Sequence, residues 1–528
     1  MGQSVAVRGL DQLASWNSDW RDLRVAVLGL GVTGFAAADT LVELGASVIV
    51  VTSSAEIGRA DLLEAIGASL IVEPDRDVIP AGLVAHEPQL VIVSPGFPPS
   101  HPLIDWARQR SIPIWGDIEL AWRLRDKVKA AYWILVTGTN GKTTTVQLVT
   151  HLLAADGRRV AAVGNIGVPV LDAIREPGGF DVLVVELSSF QLHWLPTTGQ
   201  GALVPLASVC LNLADDHLDW HGSREAYAAA KAKVYANTRI ACVYNRADPA
   251  TRRMVEDAEV AEGCRAIGFG LDAPGPSDLG IVGDIVLDRA FIPNRQSTAL
   301  ELTTHGELAE AGLTAPHTVA NLLAASALAR AAGVGVDTVR SALATFVIDR
   351  HRTEAVASAG GITWVDDSKA TNPHAADAAL RSFDSVVWIV GGLLKGTDIG
   401  EVIVGNLHRL KATVIIGENR QPVVEAFRRH APTLPVFEVA ASQTDEAEPN
   451  QVMTEAVRLA AGVATRGDVV LLAPAAASMD QFRDYADRGN RFATAVLIHT
   501  GGIAANDDAE PSDPEPIAKP PTGPAEPA

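Results

Sequence analysis

Residues 134–145 read ILVTGTNGKTTT: an apolar run, a glycine turn and a hydroxyl-rich helix start. A phosphate loop has the form G-x-x-x-x-G-K-[ST], in which backbone N–H groups cradle phosphates and the lysine reaches the β- and γ-phosphates. Gly141, Lys142 and Thr143 fit that form, but the position of the first glycine holds Val136. A chance Gly-Lys-Thr is common in surface loops. It is much less common between a buried-type strand, YWILV, and a helix, TTVQLVTHLL, which is where an anion-binding turn belongs.

Outward from this stretch, β-branched runs alternate with Ala/Leu-rich helical segments, the pattern of parallel α/β units. A first block has strand candidates at 24–29, 47–51, 70–73, 90–96 and 112–116. The second starts at 132–138, continues through 182–189 and 207–213, and ends near a helix at 317–333. The third has strands at 386–392, 412–417 and 468–474. With 528 residues and 48% hydrophobic content the chain reads as a soluble protein of several domains. Residues 504–528 carry seven prolines and six acids against Lys519, with almost no large apolar side chains. They are predicted to be disordered.

Net charge is −20 and there is no Lys/Arg run, which argues against a nucleic-acid or anionic-membrane surface. Cys210, Cys242 and Cys264 lack metal-ligand spacing and are expected as buried free thiols in a reducing compartment. No apolar leader or 18-residue apolar span is present, so the expectation is a cytoplasmic protein without membrane insertion.

Further motifs sit at strand ends, each with a plainer reading beside it. Gly29-Leu30-Gly31-Val32-Thr33-Gly34 is a G-x-G-x-x-G between strand and helix, which suits a dinucleotide-type phosphate site or a turn needed only for packing. The end of the second strand, Val50-Val51-Thr52-Ser53-Ser54, holds no acid before Glu56, which disfavours NAD. Glu186 closes the apolar run DVLVVE, where it could hold Mg²⁺ through oxygen or cap the next helix through Ser188. LNLADDHLDWHGS (211–223) packs Asp215, Asp216, His217, Asp219 and His221 beyond a strand, as a ligand cluster or a solvated capping loop. Lys231 and Lys233 in AYAAAKAKVY read, taken alone, as a solvated helix face. WVDDSKATNP (364–373) reads as a turn and helix cap, and Lys395 as a second cationic site or an ordinary loop lysine. Ser478 is expected at a helix start with Phe482 one turn later, where a carboxylate could dock.

Taken in order, GLGVTG, SPG, GDIEL, TGTNGKTT, GNIG, ELSSFQL, LNLADDHLD, AAKAKVY, DRHR, DDSKATN, GG…K and SMDQF…RGNRF resemble the Mur ligases over about residues 22–500. ELSSFQL and SMDQFRDYADRGNRF resemble the D-glutamate-adding branch in particular. In that family the phosphate loop is written TGTNGKTT, so Val136 is no anomaly. The resemblance implies three α/β domains: a Rossmann-like UDP-binding domain (1–125), a central P-loop ATPase domain with a mostly parallel sheet (126–348) and a Rossmann-like amino-acid-binding domain (349–502), then the tail (503–528).

It also implies a reaction, ATP-dependent addition of D-glutamate to UDP-N-acetylmuramoyl-L-alanine through an acyl phosphate, in peptidoglycan precursor synthesis, by a monomer. By resemblance, Gly138, Thr139, Asn140, Gly141, Lys142, Thr143, Thr144, Asn321, Arg352, Asp367 and Lys369 serve ATP. Gly31, Val32, Thr33, Thr52, Ser94, Asn165 and Gln191 face the UDP substrate; Thr371, Lys395, Ser478 and Phe482 face D-glutamate. Two Mg²⁺ ions are implied, one on Thr143 and Glu186, the other between His217 and Lys231, with the lysine carbamylated because an ammonium cannot ligate a metal. Lys142, Glu186, His217 and Lys231 form the implied catalytic set.

The chain departs from better-known members in two places. Val51-Thr52-Ser53 stands where they carry an Asp-Thr-Arg-like stretch, and Ala473-Pro474-Ala475-Ala476-Ala477 where many have Ser-Pro-Ala-Cys-Ala. The rival readings are a sister ligase using another amino acid, such as a folylpolyglutamate synthetase; a nicotinamide oxidoreductase; and a non-catalytic nucleotide-binding partner. The oxidoreductase leaves the second phosphate loop unexplained, and Lys142, Glu186 and His217 are all retained.

Overall fold

A computed structural model describes residues 9–55, 57–394, 396–439 and 449–502. It separates into two compact units, one ending at Ile348 and the other beginning at Asp349. The tail predicted to be disordered and Lys395 lie outside the described residues.

The first unit holds two sheets. The first is all parallel, in the order β3-β2-β1-β4-β5, from β1 (Arg24–Leu28), β2 (Ser47–Thr52), β3 (Ser69–Val72), β4 (Leu90–Val93) and β5 (Ile114–Gly116). Strands β1 and β4 are apolar and buried nearly throughout, as expected of strands covered on both faces. Chain order reverses between β1 and β4. Ligands of open α/β sheets bind at such a switch point, outside the carboxyl ends of the strands.

The second sheet is built from β6 (Tyr132–Thr137), β7 (Val160–Gly164), β8 (Val182–Glu186), β9 (Ala207–Cys210), β10 (Ala241–Asn245), β11 (Arg265–Phe269), β12 (Asp278–Val282), β13 (Ile285–Asp288) and β14 (Leu300–Thr304). Its order is β14-β13-β12-β11-β10-β9-β6-β8-β7. The strands from β7 across to β12 pair in parallel; β13 and β14 extend the edge antiparallel. Helix Lys142–Ala155 packs Leu148, Val149 and Leu152 into a core shared with helix Pro316–Ala331. The latter is buried on nearly every face, which its Ala/Leu composition permits. A further core joins the two sheets of this unit, with Trp122 edge-on to Trp133 at 5.1 Å.

The second unit has β15 (Glu354–Ala359), β16 (Ile362–Asp366), β17 (Val386–Gly391), β18 (Leu410–Ile416), β19 (Val436–Glu438) and β20 (Val469–Leu472), ordered β15-β16-β20-β17-β18-β19. Only β15 runs antiparallel. No helix among the described residues is long and apolar enough to cross a membrane.

Candidate active site

Val136 is fully buried and still within β6, opposite Glu186 of β8 and Val209 of β9. The phosphate turn therefore starts two residues later, at Gly138 (φ 152°), and closes at Gly141 (φ 82°) before helix Lys142–Ala155. A Cβ on Gly141 would lie 2.3 Å from Asn321 Oδ1, so only glycine lets helix Pro316–Ala331 approach the loop. Lys142 Nζ donates to the carbonyls of Gly138 and Thr139, each at 2.8 Å. Thr144 is buried and Thr143 half-buried in the first helical turn.

The loop is clamped from β9's carboxyl end by a residue not singled out from sequence. Asn212 accepts from Asn140 N–H at 2.9 Å and donates to Asn140 O at 3.1 Å. Thr139 N–H donates to Asn212 O, and Thr139 Oγ1 lies 3.0 Å from the Tyr227 hydroxyl. Asn212 falls within the LNLADDHLD stretch, but nothing in its spacing marks it; long-range pairing places it.

Glu186 is buried at the end of β8. Oε1 accepts from Asn165 Nδ2 at 2.9 Å, whereas Oε2 is buried without a hydrogen-bond partner. An orphaned carboxylate oxygen beside a phosphate loop fits an oxygen-ligated cation. The capping role belongs instead to Ser188, which forms a reciprocal capping box with Gln191. The Gln191 amide also donates to Asp117 Oδ2 at 3.1 Å, tying ELSSFQL to GDIEL. Burial pushes the Asp117 carboxyl up to about 6, against that hydrogen bond.

Lys231 corrects the solvated-face reading. It is 2% exposed, and its Nζ donates to Gly138 O at 2.9 Å. Helix Arg224–Ala232 turns this one face inward to the loop. Burial pushes the ammonium down to about 7; Lys142 acts the same way, while Asp216 and Glu186 oppose it. Lys233 is half-buried, donating to the carbonyls of His193 and Leu195. His217 adopts φ 53° before a short helix, with Nε2 3.5 Å from Asp216 Oδ2 and its ring 4.7 Å from Phe190. Phe190 also packs on Trp220 and His221, which in turn meet His193, and His221 Nε2 lies 2.9 Å from Ser189 Oγ. Burial pushes His193 and His221 each down to about 4.

At the first sheet's switch point, Gly31, Val32 and Thr33 open helix Val32–Glu43, and Ser94 follows β4. A Cβ on Gly34 would lie 2.0 Å from Gly29 O, which explains that glycine by close helix–strand packing. Thr52 is buried, donating to Ser54 O, and lines a cavity of about 340 Å³ with Ser53, Arg76, Phe97 and His101.

In the second unit, Thr353 N–H donates to Asp367 Oδ1 at 3.3 Å. Burial pushes the Asp367 carboxyl up to about 7, while the Arg352 guanidinium pulls it down. Lys369 Nζ lies 3.5 Å from the Tyr485 ring centroid, and Thr371 is exposed. Asn372 caps helix Pro373–Leu380, as the turn-and-cap reading expected. Ser478 does not begin a helix. Gln481 and Phe482 N–H groups donate back to Ser478 O in a turn, and the helix starts at Tyr485, capped by Asp484. Ser478 is buried and Phe482 belongs to the core. Arg488, fully buried, ties this turn to DDSKATN by donating to Ser368 Oγ, Ser368 O and Ala476 O. His351, Glu354 and Asp366 cluster here, but they hydrogen-bond one another: His351 Nδ1 is 2.6 Å from Asp366 Oδ2, and the His351 backbone N–H donates to Glu354 Oε2. Of the thiols, Cys210 and Cys242 are buried and Cys264 only partly so.

Known proteins match this arrangement along the chain. The Mur ligase MurD-like N-terminal domain matches residues 23–116, the Mur ligase middle domain 136–329, and the Mur ligase glutamate ligase domain 351–476. The UDP-N-acetylmuramoylalanine–D-glutamate ligase of Leifsonia xyli subsp. xyli is 60% identical over 512 residues, covering 96% of this chain and 98% of its own. Its counterpart in Streptomyces avermitilis is 48% identical over 482 residues, covering 91% and 99%. The solved UDP-N-acetylmuramate–alanine ligase of Thermotoga maritima superposes with TM-score 0.52 at 20% identity, covering 90% of this chain and 99% of that one; that likeness speaks for the fold. With its phosphate loop, its strand-end glutamate and all three of its domains matched, the chain belongs to the Mur ligase family.

Proposed function

We propose that this chain is an ATP-dependent, ADP-forming ligase that joins D-glutamate to UDP-N-acetylmuramoyl-L-alanine in peptidoglycan precursor synthesis. Full-length identity of 60% to a ligase of that name supports it. We take the three domains as residues 1–125, 126–348 and 349–502. The enzyme is read as a cytoplasmic monomer, where its nucleotide substrates are met.

The chemistry joins two anions before it joins an amine. A substrate carboxylate oxygen bonds to the γ-phosphorus of ATP as the β,γ-bridging P–O bond breaks and ADP leaves. The amine nitrogen of D-glutamate then bonds to the acyl carbon, loses a proton, and phosphate departs. Such steps run on positioning and on cations that offset charge. Gly138–Thr144 would cradle the triphosphate, with Lys142 on its charge and Asn321 against Gly141. Arg352, Asp367 and Lys369 would serve ATP from the second unit's sequence.

The observation that carries this reading is the orphaned, buried Oε2 of Glu186, on the strand beside the phosphate loop and in register with Val136. Glu186 and Thr143 would hold one Mg²⁺, and His217 and a carbamylated Lys231 a second. The ions supply positive charge to the phosphates. Lys231 suits carbamylation because its amine is partly neutral near pH 7, and only the neutral amine bonds to the carbon of CO₂. Gly31, Val32, Thr33, Thr52, Ser94, Asn165 and Gln191 would face the UDP substrate; Thr371, Lys395, Ser478 and Phe482 would face D-glutamate, the last two shaping the pocket from a turn.

The test is phosphate release from ATP and Mg²⁺ with UDP-N-acetylmuramoyl-L-alanine and, separately, D-glutamate, L-glutamate, meso-diaminopimelate or no amino acid. Release with D-glutamate alone, lowered about 10³-fold or more in Lys142→Ala, is expected. Release with another amino acid would move the chain to a sister activity.

A further inference from the structure

We propose that Cys242 and Cys264 form a redox site, in which a peroxide oxidises the Cys264 thiol and Cys242 closes it to a disulfide.

The three cysteines are scattered along the sequence, and the fold brings two of them together. Cys242 Sγ lies 3.8 Å from Cys264 Sγ, close enough for one thiol to donate to the other. Cys242 is the second residue of β10, and Cys264 stands immediately before β11. In the parallel register Ala266 is opposite Cys242 and two residues beyond Cys264, so both sulfurs fall on one face of the sheet and share its core. A disulfide needs about 2.05 Å between sulfurs, and the turn before Cys264 leaves room for the approach. Glu262 and Gly263 are exposed, and a Cβ on Gly263 would meet nothing within 4 Å.

The two thiols are placed for different parts. Cys264 is partly exposed and can meet a small oxidant, whereas Cys242 is buried and meets Cys264. The Cys242 thiol, donating to Cys264, holds it below the usual thiol range; burial opposes this, and the backbone N–H groups of Arg265 and Cys242 support it. The thiolate is the attacking form. Cys210 is a spectator: it is buried with Sγ 3.8 Å from the Asn212 carbonyl, and burial pushes it up to about 11.

The Cys264 thiolate attacks one oxygen of hydrogen peroxide, the O–O bond breaks, and hydroxide leaves behind a sulfenic acid. Cys242 sulfur then bonds to the sulfenic sulfur as the S–O bond breaks, its proton going to the departing hydroxide. Two thiols and one hydrogen peroxide give one disulfide and two waters. Closure by Cys242 stops oxidation of Cys264 before the irreversible sulfinic and sulfonic acids. The bond ties the amino ends of β10 and β11, whereas the phosphate turn follows the carboxyl end of β6 in the same parallel array. The cross-link therefore constrains the scaffold at the end remote from that turn.

The experiment follows each sulfur. The full chain, Cys264→Ser, Cys242→Ala and Cys210→Ala are treated with a small excess of hydrogen peroxide, alkylated in denaturant and peptide-mapped without reduction. Parallel samples contain dimedone, which traps sulfenic acids. Expected in the parent and in Cys210→Ala is one cross-linked peptide joining Cys242 to Cys264, released by dithiothreitol. In Cys242→Ala the cross-link is absent and dimedone accumulates on Cys264. In Cys264→Ser, Cys242 is oxidised about tenfold more slowly than in the parent. Should Cys242→Ala fail to fold, the parent set against Cys264→Ser still decides. A parent that oxidises at Cys264 without the cross-link, or that does not react, would reduce the pair to core packing and overturn the inference. A cross-link that includes Cys210 would overturn it as well, as would Cys242 oxidised equally fast in Cys264→Ser.

Discussion

The ammonium of Lys231 donates to the carbonyl of Gly138 at 2.9 Å, so a fully buried lysine is fastened to the first glycine of the phosphate turn. Burial lowers its affinity for the proton to about 7 from 10.5. In the unmodified chain the unfolded state therefore binds more protons between pH 7 and 10.5, and stability rises with pH across that window. Activity has its own dependence. It should fall as pH drops below 7, and at pH 8 it should fall in CO₂-depleted buffer and return with bicarbonate. Lys231→Met should be inactive in both buffers with its melting temperature retained. Activity indifferent to CO₂ would remove the carbamate from the mechanism.

Gly141→Ala faces two obstacles, a positive φ and a methyl group 2.3 Å from Asn321 Oδ1. The backbone strain alone costs about 1 kcal/mol. We expect a lower midpoint in urea and a rise of about tenfold or more in KM for ATP. The double variant Gly141→Ala/Asn321→Ala should regain part of the stability, because the obstructing amide is gone, without regaining ATP affinity.

Arg488→Met removes three hydrogen bonds from a fully buried guanidinium and leaves the Ser368 and Ala476 carbonyls wanting donors. A loss of about 2–4 kcal/mol is expected for the unit beginning at Asp349. Hydrogen exchange should show protection lost around residues 366–370 and 474–478, with residues 132–155 unaffected.

His193 is held neutral, pushed down to about 4 by burial with Lys233 and Arg108 adding to the effect. Between pH 6.5 and 4 the unfolded chain takes up a proton that the folded chain refuses, so stability is lost as pH falls through that range. His193→Phe should keep the aromatic packing with Trp194 and Trp220 and flatten the acid side of a plot of melting temperature against pH.

Where the sequence was periodic it was also readable. The apolar runs became β1, β2, β6 and β17 to within one residue, and β4 and β8 with carboxyl ends three residues short of the sequence reading, because buried parallel strands are written as unbroken β-branched stretches. The antiparallel edge β12–β14 went unread, although Gly283-Asp284 between alternating runs is a two-residue hairpin signal. Taken alone, Lys231 reads as solvated because its Ala neighbours give no sense of which face turns inward, and the family resemblance is what points it to the site; Asn212, Tyr227 and Arg488 owe their places to contacts across distant stretches. Ser478 reads from sequence as a helix start, yet Asp484 competes for that role six residues on and holds it.

The edge-to-face contact between Trp122 and Trp133 has a calorimetric meaning. These indoles belong to one continuous core that reaches from Leu10 to Met254, so two of the three family domains have no boundary at which one could melt and leave the other's apolar surface covered. Heating should release them in a single endotherm, and a chain cut between Arg125 and Tyr132 would expose indole on both faces of the cut.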